Sequence, residues 1–179
     1  GTVEVKGIAL VPQGKGTYAG EQIPKGIWSK NFPVGYSHLY DVRRSQNPPE
    51  KFMLDWQAET GYRGITGKDN IHLRLYALTQ SEDVALANGD PPQNKPGNPR
   101  KLEYLLMHRA APDLNSTFVS VLEPYRDKPF IRSVTRLDDS KGQSVAIRID
   151  MTDGTSAYIL YNTDEVSEMR LPNGISMTG

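Results

Sequence analysis

Arg109, Glu123 and Tyr125 form the polar set in this 179-residue chain best suited to chemistry. A guanidinium held in or beside a sheet grips a carboxylate through two parallel hydrogen bonds, and the same fork suits a uronate or a sulfate. The alternative is an internal Arg–Glu pair that braces the fold. Arg132, Arg136 and Arg148 suggest a basic stripe on one sheet face, either to meet an acidic glycan or as ordinary solvated surface. Trp28, Tyr18 and Tyr36 fall in loop-like sequence, where a ring packs on the apolar face of a pyranose or covers an edge of the core. Trp56 lies on the apolar face of an alternating run and is expected in the core. The candidate substrate-binding residues are Trp28, Tyr36, Arg109, Glu123, Tyr125, Arg132 and Arg136, and no residue is given a catalytic role.

Other reaction centres lack their spacing. His38, His72 and His108 are far apart and show no short ligand pattern, so no metal and no cofactor are expected. Ser116 and Ser120 sit in strand-like sequence rather than on a Gly-x-Ser-x-Gly elbow. Glu123, Asp127 and Asp139 could supply paired glycosidase carboxylates only if folding set them at the required separation; charged strand ends are the commoner arrangement. Gly14, Gly16 and Gly20 precede no helical pattern, which removes a phosphate-cradling loop.

Composition narrows the class further. Lys plus Arg number 21 and Asp plus Glu number 21, so the formal net charge is zero, without the basic excess of a phosphate-driven nucleic-acid binder. There is no cysteine, hence no disulfide framework or cysteine–zinc cluster. No apolar run is long enough to span a bilayer as a helix. Opening on Gly1, the chain is expected to be a processed or excised piece of a longer protein, folded as a single domain over residues 1–179.

The elements that must position these residues read as strands. Phe52 to Glu59 places Phe52, Leu54, Trp56 and Ala58 on one face and Asp55, Gln57 and Glu59 on the other. Ile71 to Leu78 sets Ile71, Leu73, Leu75 and Ala77 inward and His72, Arg74 and Tyr76 outward. Thr2 to Val11, Tyr36 to Val42, Leu102 to Arg109, Ser116 to Glu123 and Phe130 to Leu137 are further strands, and Pro124 and Pro129 are expected to break the chain between the last two. In Phe130 to Leu137, regular alternation puts Arg132 and Arg136 on one face. Asp153-Gly154 joins Ser144 to Asp150 with Thr155 to Tyr161 in a hairpin, and Asn173-Gly174 joins Val166 to Arg170 with Ile175 to Met177. Gly89 to Arg100, with four prolines and two glycines in twelve residues, is an exposed loop. These elements predict an all-β fold, an antiparallel β-sandwich of roughly 10–12 short strands in two facing layers.

Several pieces in order, Gly35-Tyr36-Ser37-His38-Leu39-Tyr40-Asp41-Val42, Asp55-Trp56, His72-Leu73-Arg74-Leu75, Asn88-Gly89-Asp90-Pro91-Pro92 and Tyr104 through Leu137, resemble the C-terminal β-sandwich of heparinase II/III-like proteins, bacterial polysaccharide lyases and their relatives. The resemblance spans residues 34–161 and implies a periplasmic or secreted, non-catalytic domain. Its implied partners are an acidic polysaccharide and an upstream helical toroid of the same parent chain. The toroid carries most of the β-elimination chemistry in that family, and its metal-binding and base-bearing segments match no position here. A stand-alone carbohydrate-binding module and an adhesion sandwich without a sugar role are the alternatives.

Overall fold

The computed structural model describes residues 2–13, 35–61, 64–91, 96, 99–138, 144–162, 168–171 and 174–178. Within them the chain is all-β. The strands are β1 (Val3–Lys6), β2 (Val11–Pro12), β3 (Tyr40–Gln46), β4 (Lys51–Gln57), β5 (Ile71–Leu78), β6 (Asp83–Gly89) and β7 (Leu102–His108). They continue with β8 (Ser120–Arg126), β9 (Ile131–Arg136), β10 (Val145–Met151), β11 (Ser156–Tyr161), β12 (Glu168–Arg170) and β13 (Ser176–Thr178). One 3-10 turn, Gly35–His38, precedes β3.

Strands pair in the orders β1-β4-β5-β8, β2-β3-β6-β7 and β11-β10-β9, with β12-β13 as a separate ribbon. All these pairings are antiparallel. The β4–β5 sheet is the middle of the stack. Phe52, Leu54 and Ala77 on one of its faces pack with Val84 and Leu86 of β6. On the opposite face Tyr76 and Leu78 pack with Ile131 and Val134 of β9 and Val145, Ile147 and Ile149 of β10. The expected sandwich therefore gains a third layer. His72, Arg74 and Tyr76, read from alternation as outward, point toward the β9–β11 layer, and Tyr76 is buried. A period of two separates two faces but does not say how many of them are covered.

The strand most completely enclosed, β6, is one that alternation does not reveal. Every residue of Asp83-Val84-Ala85-Leu86-Ala87-Asn88-Gly89 is buried. Val84 and Leu86 belong to the core against β4 and β5, while Ala85 and Ala87 pack with Leu39 and Val42 on the other side. With both faces covered and poor strand formers in the run, neither periodicity nor propensity marks it. Gly89 sits in close quarters: a Cβ there would lie 2.8 Å from Tyr104 Cε2 and 3.1 Å from Leu39 Cδ2, so a larger residue would have to push these side chains aside.

Boundaries differ from the sequence expectation at Tyr36 and at Pro124. Tyr36 lies in the 3-10 turn, and the following strand starts at Tyr40 and runs to Gln46. Leu102–His108 is a strand, as expected for a short leucine-rich run between strands. Pro124 does not end its strand, since β8 continues through it to Arg126. In the β5–β8 ladder Leu78 N bonds Val119 O and Asp127 N bonds Asn70 O, so alternate residues between them, Pro124 included, turn their backbone away from β5. At the free edge of a sheet a missing N–H costs no ladder bond.

Candidate functional site

Register builds the polar site directly. Asp55 of β4 lies opposite Arg74 of β5, and Arg74 lies opposite Glu123 of β8. The next row holds Gln57, His72 and Tyr125. Two carboxylates thus flank one guanidinium on the face turned toward the third layer, with Tyr76 beside them.

The contacts are dense. Arg74 donates to Asp55 Oδ2 from Nε at 2.9 Å and from Nη2 at 2.7 Å, and to Tyr125 Oη at 3.2 Å. Tyr125 donates its own hydroxyl hydrogen to Asp55 Oδ2 at 2.5 Å. His72 Nδ1 lies 2.9 Å from Asp55 Oδ1, and its Nε2 lies 2.9 Å from Asn70 Oδ1. The His72 ring stacks on Tyr125 with centroids 4.8 Å apart, and the Arg74 guanidinium carbon lies 5.1 Å from the Tyr125 centroid. Glu123 is completely buried. Its Oε1 accepts the backbone N–H groups of Phe130 and Ile131, both at 2.6 Å, and its Oε2 accepts the Tyr76 hydroxyl at 3.1 Å and lies 3.7 Å from Arg74 Nη1. One carboxylate therefore ties the start of β9 to the middle sheet.

Protonation follows from these contacts. Burial pushes the Asp55 carboxyl up, but hydrogen bonds from Tyr125, Arg74 and His72, with the Arg74 charge, outweigh it and hold the group below the usual carboxylate range. Burial would weaken the charge on Arg74; its bonds to Tyr76 and Asp55 reverse that, and the guanidinium stays protonated. Burial, reinforced by the bond to Asp55, pushes the Tyr125 hydroxyl up to about 12. Burial also raises the Tyr76 hydroxyl, with the Arg74 bond opposing and the Glu123 charge adding. A tyrosine that abstracts a proton at neutral pH needs the opposite shift. These groups are occupied with one another, and the arrangement acts as an internal brace.

A second polar bridge joins the middle sheet to the β2-β3-β6-β7 layer. Trp56 Nε1 donates to Glu103 Oε2 at 2.6 Å, and Arg43 Nη2 donates to Glu103 Oε1 at 2.9 Å. Trp56 packs partly buried against the core, in keeping with its place on an apolar strand face. Among the described residues no three His, Asp or Glu side chains converge as a metal-binding set, and no helix is long and apolar enough to cross a membrane.

The candidate binding residues scatter. Glu123 and Tyr125 meet in the brace, but their arginine is Arg74. Arg109 follows β7 in another layer, half-buried, because β7 pairs with β6 and not with β8. Arg132 and Arg136 do not share a face. The β9–β10 register shifts between Asp150 and Met151, and burial along β9 then repeats every third residue, leaving Arg132 exposed and Arg136 turned inward. Arg136 Nη2 pairs with Asp138 at 2.7 Å, and its Nη1 donates to the Leu78 carbonyl at 3.2 Å. Arg148 is half-exposed and bonded to Asp150 at 2.8 Å. Tyr36 is exposed. Trp28, Tyr18 and Asp139 lie outside the described residues.

Asp55, His72, Arg74 and Tyr76, the heart of the brace, were absent from the candidates. Alternation does put Asp55 on one face of its strand and His72, Arg74 and Tyr76 on one face of theirs; only the register shows that these faces coincide. No family model matches this chain, and no curated protein or solved structure does either.

Proposed function

We propose that this chain serves as a non-catalytic β-module of a heparinase II/III-like, acidic-polysaccharide-processing protein, supporting glycan binding or packing against a companion domain. The observation that carries the reading is the state of the polar site: Asp55, Arg74, Glu123, Tyr76 and Tyr125 satisfy one another between layers, and Tyr125 keeps its proton up to about pH 12. A module whose most reactive-looking side chains brace its own layers offers surface rather than chemistry. The family itself rests on the ordered sequence pieces given above.

A second reading, an interaction sandwich without a sugar role, draws on one exposed face. Leu73 and Leu122 lie on the face of β5 and β8 opposite the brace, and they remain 41% and 57% exposed. Apolar side chains left open on a sheet face suit a packed partner more than a charged glycan.

The test is incubation with heparin, heparan sulfate and alginate while following the absorbance of the unsaturated uronate, together with a glycan array. The proposal expects no turnover and a preference for acidic glycans that weakens on Arg132→Ala. Turnover would place catalysis in this chain after all, and an array without sugar preference would leave the interaction reading.

A further inference from the structure

Every sheet has two edges, and among the described strands one edge differs from the rest. An edge strand offers unpaired N–H and C=O groups, and proteins blunt it with charge, proline, a bulge or shortness. Here β1 carries Glu4 and Lys6, β2 contains Pro12, β7 carries Glu103 and His108, and β8 holds Pro124 with its nitrogen on the open side. The β9 edge carries Arg132 and Arg136 and a register shift, and β12 and β13 are three residues each. By contrast β11, Ser156-Ala157-Tyr158-Ile159-Leu160-Tyr161, has no charge, no proline and an unbroken register with β10.

The ladder says which of its backbone groups are open. Met151 N bonds Thr155 O, so Ile149/Ala157, Ile147/Ile159 and Val145/Tyr161 are the pairs that exchange bonds within the β10–β11 ladder. Ser156, Tyr158 and Leu160 therefore direct their N–H and C=O away from β10, and no other described strand joins them. Ile159 shares the core-facing side of the sheet with Ile147 and Ile149, yet is 49% exposed, and Tyr161 beyond it is 60% exposed.

We propose that β11 is a homodimer interface, where a second copy of the chain adds its own β11 antiparallel across a two-fold axis through Tyr158. This alignment pairs Tyr158 with Tyr158 of the second copy and Ser156 with Leu160 of the second copy, so that all three open backbone positions find partners at once. It seats Ile159 beside Ala157 of the second copy and extends the apolar face continuously from one core to the next. The second copy is favoured because one two-fold alignment fills all three open positions and sets uncharged side chains against uncharged ones, in a chain whose formal net charge is zero, so neither edge charge nor net repulsion opposes it. Closure is built in, since the far edge of the same sheet is the shifted, arginine-bearing β9.

Sedimentation equilibrium from micromolar to near-millimolar concentration tests this. The expected result is a doubling of mass in the unaltered chain, at least about tenfold weaker association in Ile159→Lys, and no change in Leu122→Lys, a comparably exposed control on the proline-protected edge. Hydrogen exchange on the unaltered protein covers the case in which the lysine variant misfolds. Amides of Ser156, Tyr158 and Leu160 should slow as concentration rises, while those of Ala157 and Ile159 stay protected throughout. A monomer at near-millimolar concentration, an open-ended polymer, a dimer lost only in Leu122→Lys, or concentration-independent exchange at those three amides would overturn the proposal.

Discussion

Asp55 and Arg74 stand directly opposite each other on adjacent strands, with Arg74 Nη2 2.7 Å from Asp55 Oδ2 and side chains only 12% and 3% exposed for Arg74 and Asp55. Removing one member of such a pair leaves the other charge buried without its partner, which costs more than the intact pair contributes. Arg74→Ala should therefore lower stability by about 3–5 kcal/mol in urea unfolding. Arg74→Ala combined with Asp55→Ala should cost less than the two single changes added together. A strictly additive cycle would mean that the pair is not coupled.

Glu123 offers a sharper contrast, because its partners include main chain. In Glu123→Gln one oxygen still accepts from Phe130 and Ile131, whereas Glu123→Ala leaves both amides without their acceptor and leaves the Tyr76 hydroxyl to the Ile131 carbonyl at 3.3 Å. The alanine variant should be less stable than the glutamine variant by about 2 kcal/mol or more. Amide exchange at Ile131 should rise in the alanine variant first, ahead of β10.

Acid sensitivity should draw on Asp55 and Asp150, two of the carboxyls held below their ordinary value. Asp55 is held below its ordinary value, and hydrogen bonds from Ser156, Ser133 and then Arg148 bring Asp150 to about 2. For a carboxyl depressed in the folded state, the unfolded chain binds the proton first. The stability such a group confers is fully present above the ordinary value near 4 and falls as pH drops toward the folded value. Thermal unfolding followed from pH 5 to pH 2 should show a falling midpoint, with a shallower slope in Asp150→Asn.

At high pH the sign reverses for a tyrosine. The Tyr125 hydroxyl is raised to about 12, so between the ordinary value near 10 and that value the unfolded chain gives up a proton the folded chain keeps. The stability tied to this group is present below pH 10 and declines through about 12. Ultraviolet titration of phenolate should show a late step in the folded protein that Tyr125→Phe reduces by one tyrosine.

Much of the local structure is legible in the residues themselves. Alternation marks Ile71–Leu78 as a strand with the bounds the structure has, and Asp153-Gly154 forms the expected turn, with Gly154 at φ +92° and Met151 N bonded to Thr155 O. These features depend on side-chain period and turn stereochemistry, both carried by neighbours in the chain. The N-terminal stretch, read as a bulged strand or two strand ends, resolves into β1 and β2 in different layers, divided near Gly7 at φ +80°.

Tertiary structure decided what those faces meet. That β5 is covered on both sides, that Arg74 rather than Arg109 reaches Glu123, and that Arg136 turns inward while Arg132 stays out all depend on register and layer order. A residue's place on its own strand is set within a few positions, but its partner is set by a strand tens of residues away, and a shift of one residue exchanges the faces. The composition of β6, five of seven residues alanine, glycine or polar, announces no strand at all; it becomes one because two layers close over it.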